Sequence, residues 1–348
     1  MIALGRYKVG LGQPPFIIAE MSGNHNQSLE TALKLVDAVG KAGVQALKIQ
    51  TYTPDSMTLD LAEREFRISD PGSPWTGKSL YSLYGEASTP WEWHRPIFER
   101  ARKLGLIVFS TPFDSAAVDF LEMLEVPCYK IASFENTDLA LIRRVASTGK
   151  PMIISTGLAS LAELDETVTA ARNAGCKELI LLKCTSDYPA DASCANIATI
   201  PNMRQLFDCE VGISDHTLGI GVSIASIALG ATVIEKHFTL SRGAGGVDST
   251  FSMEPMEMEQ LVIEAKRASQ AIGSVSYGPT EHEQQSLLFR RSLYVVEQLR
   301  AGDILTLENV RSIRPGLGLP TKYLDVVLGK KVARDTPRGT ALSWSLIA

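Results

Sequence analysis

Residues 151–189 read PMIISTGLASLAELDETVTAARNAGCKELILLKCTSDYP. An apolar run from Pro151 ends in STG, a helical period covers 161–174, and a second apolar run from Glu178 ends in the polar CTSDYP. Short apolar run, helical period, short apolar run is the pattern of two strands joined by a helix. The runs are near-continuous rather than alternating. A strand needs that composition when a helix covers one face and a packed interior the other.

The same unit recurs on both sides of this stretch. FIIAE from Phe16 precedes a helix near 29–42, and ALKIQTY from Ala46 precedes a long insertion and a helix near 94–104. LIVFSTPFD from Leu106 precedes a helix near 116–124, and CYKIAS from Cys128 one near 139–147. Beyond the opening stretch come a short helix near 200–207, EVGISDHT from Glu210 with a helix near 220–229, and TVIEKHFTL from Thr232 with a helix near 256–271. Eight βα units in about 270 residues fit an α/β fold of the (β/α)8 TIM barrel type in both count and length. An open doubly wound sheet is the alternative, but it usually carries GxGxxG after its first strand, and FIIAE runs into EMSGNHN. After Ile272 the character changes. GSVSYGPTEHEQQS is polar, and short β-type runs with Gly and Pro turns follow to the end. The expected organisation is a barrel over 1–272, a linker over 273–288 and a small β-rich domain over 289–348. A core that small is marginal alone, so it is expected to pack on the barrel or on a partner chain.

Composition sets bounds on function. The chain has 348 residues, 45% hydrophobic and 21% charged, with a net charge of −5 and no long basic run. Nucleic acid and anionic membrane are poor candidates as main partners, because phosphate backbones and headgroups need clustered Lys and Arg. The five cysteines are odd in number and none are in CxxC spacing, which argues against a zinc framework and fits a reducing cytosol. MIALGRYKVG lacks a long apolar h-region, and the longest mostly apolar run, near 222–234, contains Ser, Thr and Gly. A cytoplasmic protein is expected.

Barrel enzymes place their chemistry at the C-terminal ends of the strands. Here those ends supply Glu20, Asn24 and His25; Lys48 and Gln50; Ser110, Thr111 and Asp114; Lys130, Ser133 and Glu135; Ser155 and Thr156; Thr185, Ser186, Asp187 and Tyr188; Ser214, Asp215 and His216; and Glu235, Lys236 and His237. One such residue after a strand is most simply a helix cap. The Ser-Asp of GISDHT in particular reads as an N-cap signal. Polar groups at all eight ends point to a site. Lys48 and Lys130 interrupt apolar runs, which is rare for lysine unless it is paired. Two readings are open: each neutralises a buried carboxylate such as Glu20, or both bind an anion with nearby hydroxyls and with backbone N–H groups at the STG and SDH turns. His216 and His237 end adjacent strands, about 4.8 Å apart in a sheet. Two neutral imidazoles there can share a divalent ion acting as a Lewis acid.

The stretches IAEMSGNHN, LKIQTY, FSTPFD, YKIAS, STGLAS, KCTSDYP, GISDHTLG, EKHFT, RRSLY and IRPGLG resemble the sialic acid synthase family over essentially the whole chain. Within it, the insertion after the second strand resembles the branch that forms pseudaminic acid. Asp248-Ser249 and Ser186 depart from the N-acetylneuraminate branch. The resemblance implies a barrel followed by an antifreeze-like (SAF) domain, a domain-swapped homodimer, and condensation of phosphoenolpyruvate with an amino-sugar aldose. The implied aldose is 2,4-diacetamido-2,4,6-trideoxy-altrose, which an aromatic lid at Trp75, Tyr81, Tyr84, Trp91 and Trp93 suits. It implies His216 and His237 as metal ligands, with Mn2+ the usual ion and Mg2+ or Co2+ the alternatives. It implies Lys48, Thr111, Lys130, Ser133, Ser155 and Ser214 at phosphoenolpyruvate. Glu20, Gln50, Ser186, Tyr188 and Asp248 fall around the sugar or the metal's water. Glu135 is the implied acid that activates water, and Arg314 the arginine sent into the partner's site. The rivals are an N-acetylneuraminate or legionaminate synthase, a metal-dependent aldolase, and a non-catalytic sugar-binding scaffold.

Overall fold

Short apolar runs buried along nearly their whole length suit interior strands of a parallel sheet. In the computed structural model, which describes residues 1–73 and 75–348, they form such strands. A hairpin of β1 (Ile2–Leu4) and β2 (Tyr7–Val9) comes first. The barrel strands are β3 (Phe16–Glu20), β4 (Ala46–Thr51), β5 (Ile107–Pro112), β6 (Tyr129–Ile131), β7 (Met152–Ser155), β8 (Leu179–Cys184), β9 (Glu210–Ser214) and β10 (Val233–His237). They pair in parallel, each with its sequence neighbours. β10 returns to β3, with His237 opposite Glu20, and closes the barrel. The opening stretch is one link of this ring: β7 pairs with β8 with Ser155 opposite Leu182.

Helices follow the strands, and local chemistry fixes their starts. α1 (Leu29–Ala42) is capped by Ser28 and stops at Gly43, whose φ of 80° suits glycine. α2 (Pro54–Met57) and α3 (Leu80–Ala87) lie in the long insertion, ahead of α4 (Trp91–Lys103). α5 (Ser115–Met123) is capped by Asp114 and α6 (Leu139–Ala146) by Asp138. α7 (Leu161–Asn173) begins with a capping box in which Ser160 and Glu163 exchange bonds with each other's backbone. α8 (Thr199–Phe207), α9 (Gly221–Ala228) and α10 (Pro255–Ile272) complete the series. Their buried faces join the strands in one core, for example Leu35, Val36 and Val39 of α1. The β1–β2 hairpin lies at the opposite end of the barrel from the strand C-termini, with Tyr7 edge-on to Phe16 at 5.6 Å.

The chain divides into two compact units, residues 1–273 and 274–348. The second opens with 3-10 turns over Glu281–Phe289. It then forms an antiparallel pair of β11 (Ser292–Val295) and β12 (Val310–Ile313), a short α11 (Leu324–Val327), and single bridges such as Leu299 with Thr336. Its core is its own: Leu293, Val295, Leu305, Val310, Val327 and Leu342 are all buried together. Arg314 follows β12 and is exposed. Among the described residues, no helix is long and apolar enough to cross a membrane.

Candidate active site

The C-terminal strand ends surround a cleft of about 470 Å³, within the range of small-molecule sites. Its walls include Lys48, Gln50, Lys130, Ser133, Glu135, Ser155, Ser186, Tyr188, Ser214, His216, His237 and Asp248. Glu20 and Thr111 sit just behind the lining, both fully buried. Arg314 belongs to the second unit.

Charge is concentrated at the floor. Lys48 Nζ lies 2.6 Å from Glu20 Oε2 and 3.5 Å from Glu235 Oε1, and donates to Thr111 Oγ1 at 3.3 Å. Lys130 Nζ donates to Ser155 Oγ at 2.6 Å and lies 3.9 Å from the same Glu235 oxygen. The two readings of these lysines are therefore compatible. Each is neutralised by a buried carboxylate, and each faces the cleft. Glu235 joins the two lysines, and the sequence reading placed it at a strand end without giving it a role. It also accepts from Ser214 Oγ at 3.2 Å, and its Oε2 is buried without a hydrogen-bond partner. Burial pushes the Glu235 carboxyl up, but Lys130 and Lys48 outweigh it and keep the group ionised. Glu20 takes the other part: burial pushes it up to about 7 against the pull of Lys48. Glu135 is likewise raised to about 7 by burial, with Lys130 opposing, and its Oε2 is unpartnered. That places a carboxyl able to accept a proton near neutral pH on the cleft wall.

Part of the backbone at the expected anion site is already engaged: Thr156 N–H bonds the Leu182 carbonyl and Asp215 N–H the Glu235 carbonyl. Gly157 N–H is already given to Ser133 Oγ at 3.2 Å, and a Cβ at Gly157 would collide with Ser133 and Ser186. The capping box of α7 uses the N–H groups of Ser160 and Glu163. GISDHT does not cap α9 either: the helix starts at Gly221 with no side-chain cap, and Asp215 bonds to its own turn through Thr217 N–H at 2.9 Å.

His216 and His237 share the cleft with ring centroids 5.3 Å apart. Two imidazoles binding one ion at about 2.1 Å per bond need roughly that separation. His216 Nδ1 donates to the Thr185 carbonyl at 2.9 Å, which leaves the lone pair of the neutral ring on Nε2. His237 Nδ1 is buried without a hydrogen-bond partner, the nearest carboxylate oxygen being Asp248 Oδ2 at 3.7 Å. Burial, with His216 and the lysines nearby, holds the His237 pKa well below its ordinary value, so the ring is a neutral donor. Among the described residues no cluster of three His, Cys, Asp or Glu is arranged for a metal. The set fits an ion held by two imidazoles, with open positions for substrate oxygens or water.

The residues expected around the sugar, Gln50, Ser186, Tyr188 and Asp248, line the cleft. Gln50 donates to Glu20 and Ser22, at 3.3 and 3.0 Å, and Asp248 accepts from Ser22 Oγ. Tyr188 packs 4.5 Å from His216 and 6.0 Å from Trp75. Of the expected aromatic lid, Trp75 and Tyr84 line the cleft beside Met57, Ile68 and Leu80. Trp91, Trp93 and Tyr81 do not. Trp91 stacks on Phe120, Trp93 packs on His25, and Tyr81 bonds Asp55. α4 turns its apolar face to the barrel, which takes both tryptophans away from the mouth. His25 and His94 are also buried outside the cleft, bonded to Thr89 and Thr51.

The NeuB family matches residues 35–277, and a SAF domain matches residues 290–348. A pseudaminic acid synthase from Campylobacter jejuni subsp. jejuni serotype O:23/36 (strain 81-176) is 42% identical over 330 residues, covering 95% of this chain and 96% of the relative. One from Helicobacter pylori (strain ATCC 700392 / 26695) is 41% identical, covering 95% and 97%. The crystal structure of an N-acetylneuraminic acid synthetase from Leptospira borgpetersenii serovar Hardjo-bovis has a TM-score of 0.73 at 31% identity, covering 82% of this chain and 94% of that one. With the closed barrel and a second unit matched by SAF, the chain belongs to the NeuB family.

Proposed function

We propose that this chain catalyses the pseudaminic acid synthase reaction. Phosphoenolpyruvate condenses with 2,4-diacetamido-2,4,6-trideoxy-L-altrose to give pseudaminic acid and phosphate. The observation that carries the reading is a single cleft holding two buried lysines at its floor and two imidazoles 5.3 Å apart. Identity of 41–42% to two pseudaminic acid synthases over 95% of the chain supports the choice of sugar. So does the apolar wall of Met57, Ile68, Leu80 and Trp75, which suits a deoxygenated sugar end.

The two lysines receive the phosphate of phosphoenolpyruvate, aided by the hydroxyls of Ser133, Ser155 and Ser214, with Thr111 fixing Lys48. A divalent ion on His216 and His237, proposed to be Mn2+, supplies Lewis-acid polarisation of the sugar aldehyde when bound. Gln50, Ser186, Tyr188 and Asp248 orient the sugar so that C3 of phosphoenolpyruvate forms a bond to the aldehyde carbon as the C=O π pair moves to the aldehyde oxygen. That oxygen becomes a hydroxyl with a proton given up by the adding water. Positive charge then develops at C2, where the Glu20 and Glu235 carboxylates stabilise it. Glu135 takes a proton from the water that adds to C2. Collapse of the tetrahedral carbon breaks the C2–O bond, and Lys48 and Lys130 stabilise the departing phosphate. The exposed Arg314 is proposed to act in the partner's site of a domain-swapped homodimer working in the cytoplasm.

A phosphate-release assay with a panel of aldoses, with and without Mn2+, tests the reading. Release confined to the altrose substrate and lost on chelation is expected. Preference for N-acetylmannosamine, or turnover without phosphoenolpyruvate, overturns it. Phosphoenolpyruvate labelled with 18O at the bridging oxygen is expected to yield labelled phosphate.

A further inference from the structure

Behind the two imidazoles lies an ionic pair that the proposed reaction leaves unused. Side chains alternate across a strand. Ser214, His216, Glu235 and His237 face the cleft, and Asp215 and Lys236 fall between them outside its lining, 3% and 1% exposed. Lys236 Nζ donates to Asp215 Oδ2 at 3.1 Å, to the Thr217 carbonyl at 2.6 Å and to the Gly219 carbonyl at 3.0 Å. Those acceptors use all three ammonium hydrogens. Asp215 Oδ1 accepts from Thr217 N–H and Oγ1, at 2.9 and 2.7 Å, and Oδ2 also accepts from Ser223 Oγ on α9 at 2.5 Å. Asp215 N–H reaches the Glu235 carbonyl at 2.9 Å. The end of β10, the turn after β9 and helix α9 are thus tied at one point.

A buried ion pair is a poor source of stability, since apolar residues of similar volume often do as well. What it supplies is fixed distance and direction. Each partner precedes one imidazole in the chain: Asp215 before His216, Lys236 before His237. The two rings differ in their own support. His216 is held by the Thr185 carbonyl, whereas His237 Nδ1 has no hydrogen-bond partner, so its placement depends on the backbone beside Lys236. We propose that Asp215 and Lys236 are a positioning pair that sets the spacing of the two imidazoles for a shared divalent ion. The proposal rests on the reading of His216 and His237 as metal ligands.

The test titrates Mn2+ alone into full-length wild type, Lys236→Met, Ser223→Ala and His237→Ala, reading free Mn2+ by EPR. Inorganic phosphate affinity is measured in parallel, because a general loss of structure would lower both. Lys236→Met is expected to lose Mn2+ affinity by about 10–100-fold, the usual effect of losing a group that orients a ligand. Its phosphate affinity is expected to stay within about twofold of wild type. Ser223→Ala keeps the ion pair and loses one bond to Asp215, so about a fivefold loss is expected. It decides the matter on the same criterion if Lys236→Met fails to fold. Wild-type Mn2+ affinity in the folded variant, or parallel loss of Mn2+ and phosphate affinity, overturns the positioning role. If wild type binds no Mn2+, or His237→Ala keeps it, the metal-site reading itself falls, and that outcome is distinct from the other two.

Discussion

β10 carries charge on both faces, Glu235 toward the barrel interior and Lys236 away from it, and the two sides are built differently. Inside the barrel, Lys48 pairs with Glu20 and shares Glu235 with Lys130, at 2.6–3.9 Å, and one Glu235 oxygen is left without a partner. Outside, Asp215 and Lys236 are saturated, every polar atom of both side chains being bonded. Burial does not separate the two sets: Lys130 and Lys236 are each 1% exposed. Hydrogen-bond satisfaction does. Buried charges left part-paired around a cleft are expensive unless a ligand completes them, whereas a saturated pair has nothing left to offer one. The inner set is therefore the one with bonding capacity left for a ligand, and the outer set has none.

The largest effects are expected on the inner face. His237→Ala should abolish Mn2+ binding and lower kcat/KM by more than about 10³-fold, since Lewis-acid polarisation is worth several kcal/mol. Far-UV CD should be unchanged. Wild-type turnover in this variant would move the chemistry away from the two imidazoles. Glu135→Gln comes next, at about 10²-fold in kcat. Glu135 works as a base only when ionised, and burial raises it to about 7. The kcat/KM of wild type should therefore climb as pH rises through about 7. A pH–rate profile of Glu135→Gln should have a shallower limb, with only the part that Glu20, also raised to about 7, contributes.

Stability sorts the two faces next. Burial pushes the Asp215 carboxyl up, but Lys236 and the hydroxyls of Ser223 and Thr217 outweigh it and hold it below the ordinary carboxylate range. A carboxylate with a depressed folded pKa contributes stability above its unfolded value of about 3.9, and that contribution is lost as pH falls through the folded value. Asp215→Asn leaves Lys236 buried and unpaired, and should cost about 3–5 kcal/mol at pH 7. The gap to wild type should narrow on acidification below about pH 4. Urea unfolding at several pH values measures both. A pH-independent gap would mean that the pair's charge is not what holds the turn.

Much of this was readable before the fold. The barrel was legible because its strands are unbroken apolar runs. The inward lysines were legible because a cation inside such a run has few places to go. The pairing of His216 with His237 followed from adjacency of the last two strands. Glu235 was not singled out, because its importance arises only when β4, β6 and β10 bring Lys48, Lys130 and a carboxylate together across long stretches of chain. Asp215 was misread as a helix cap. Ser-Asp before a helical period carries that signal, but α9 begins six residues later and the carboxylate turns to Lys236 instead. The lid erred in direction: Trp91 and Trp93 were visible as aromatic residues, while the face of α4 that carries them depends on packing with Phe120 and His25. The β1–β2 hairpin has strands of three residues, too short for any period to show.

The smallest effect is expected at the lid, where neither face of the ion clusters is touched. Trp75 Nε1 donates to the Val247 carbonyl at 2.8 Å, which ties the insertion to the residue before Asp248. Trp75→Phe keeps an aromatic surface near Tyr188 and removes only that bond, worth about 1 kcal/mol. If the insertion walls the sugar, its KM should rise about fivefold while that of phosphoenolpyruvate stays constant. The two lysines proposed to hold the phosphate lie at the floor, and nothing in their pairing involves the indole. Equal rises in both KM values would mean that the lid orders the whole cleft and not only its sugar side. The division between a charged floor and an apolar wall would then have to be redrawn.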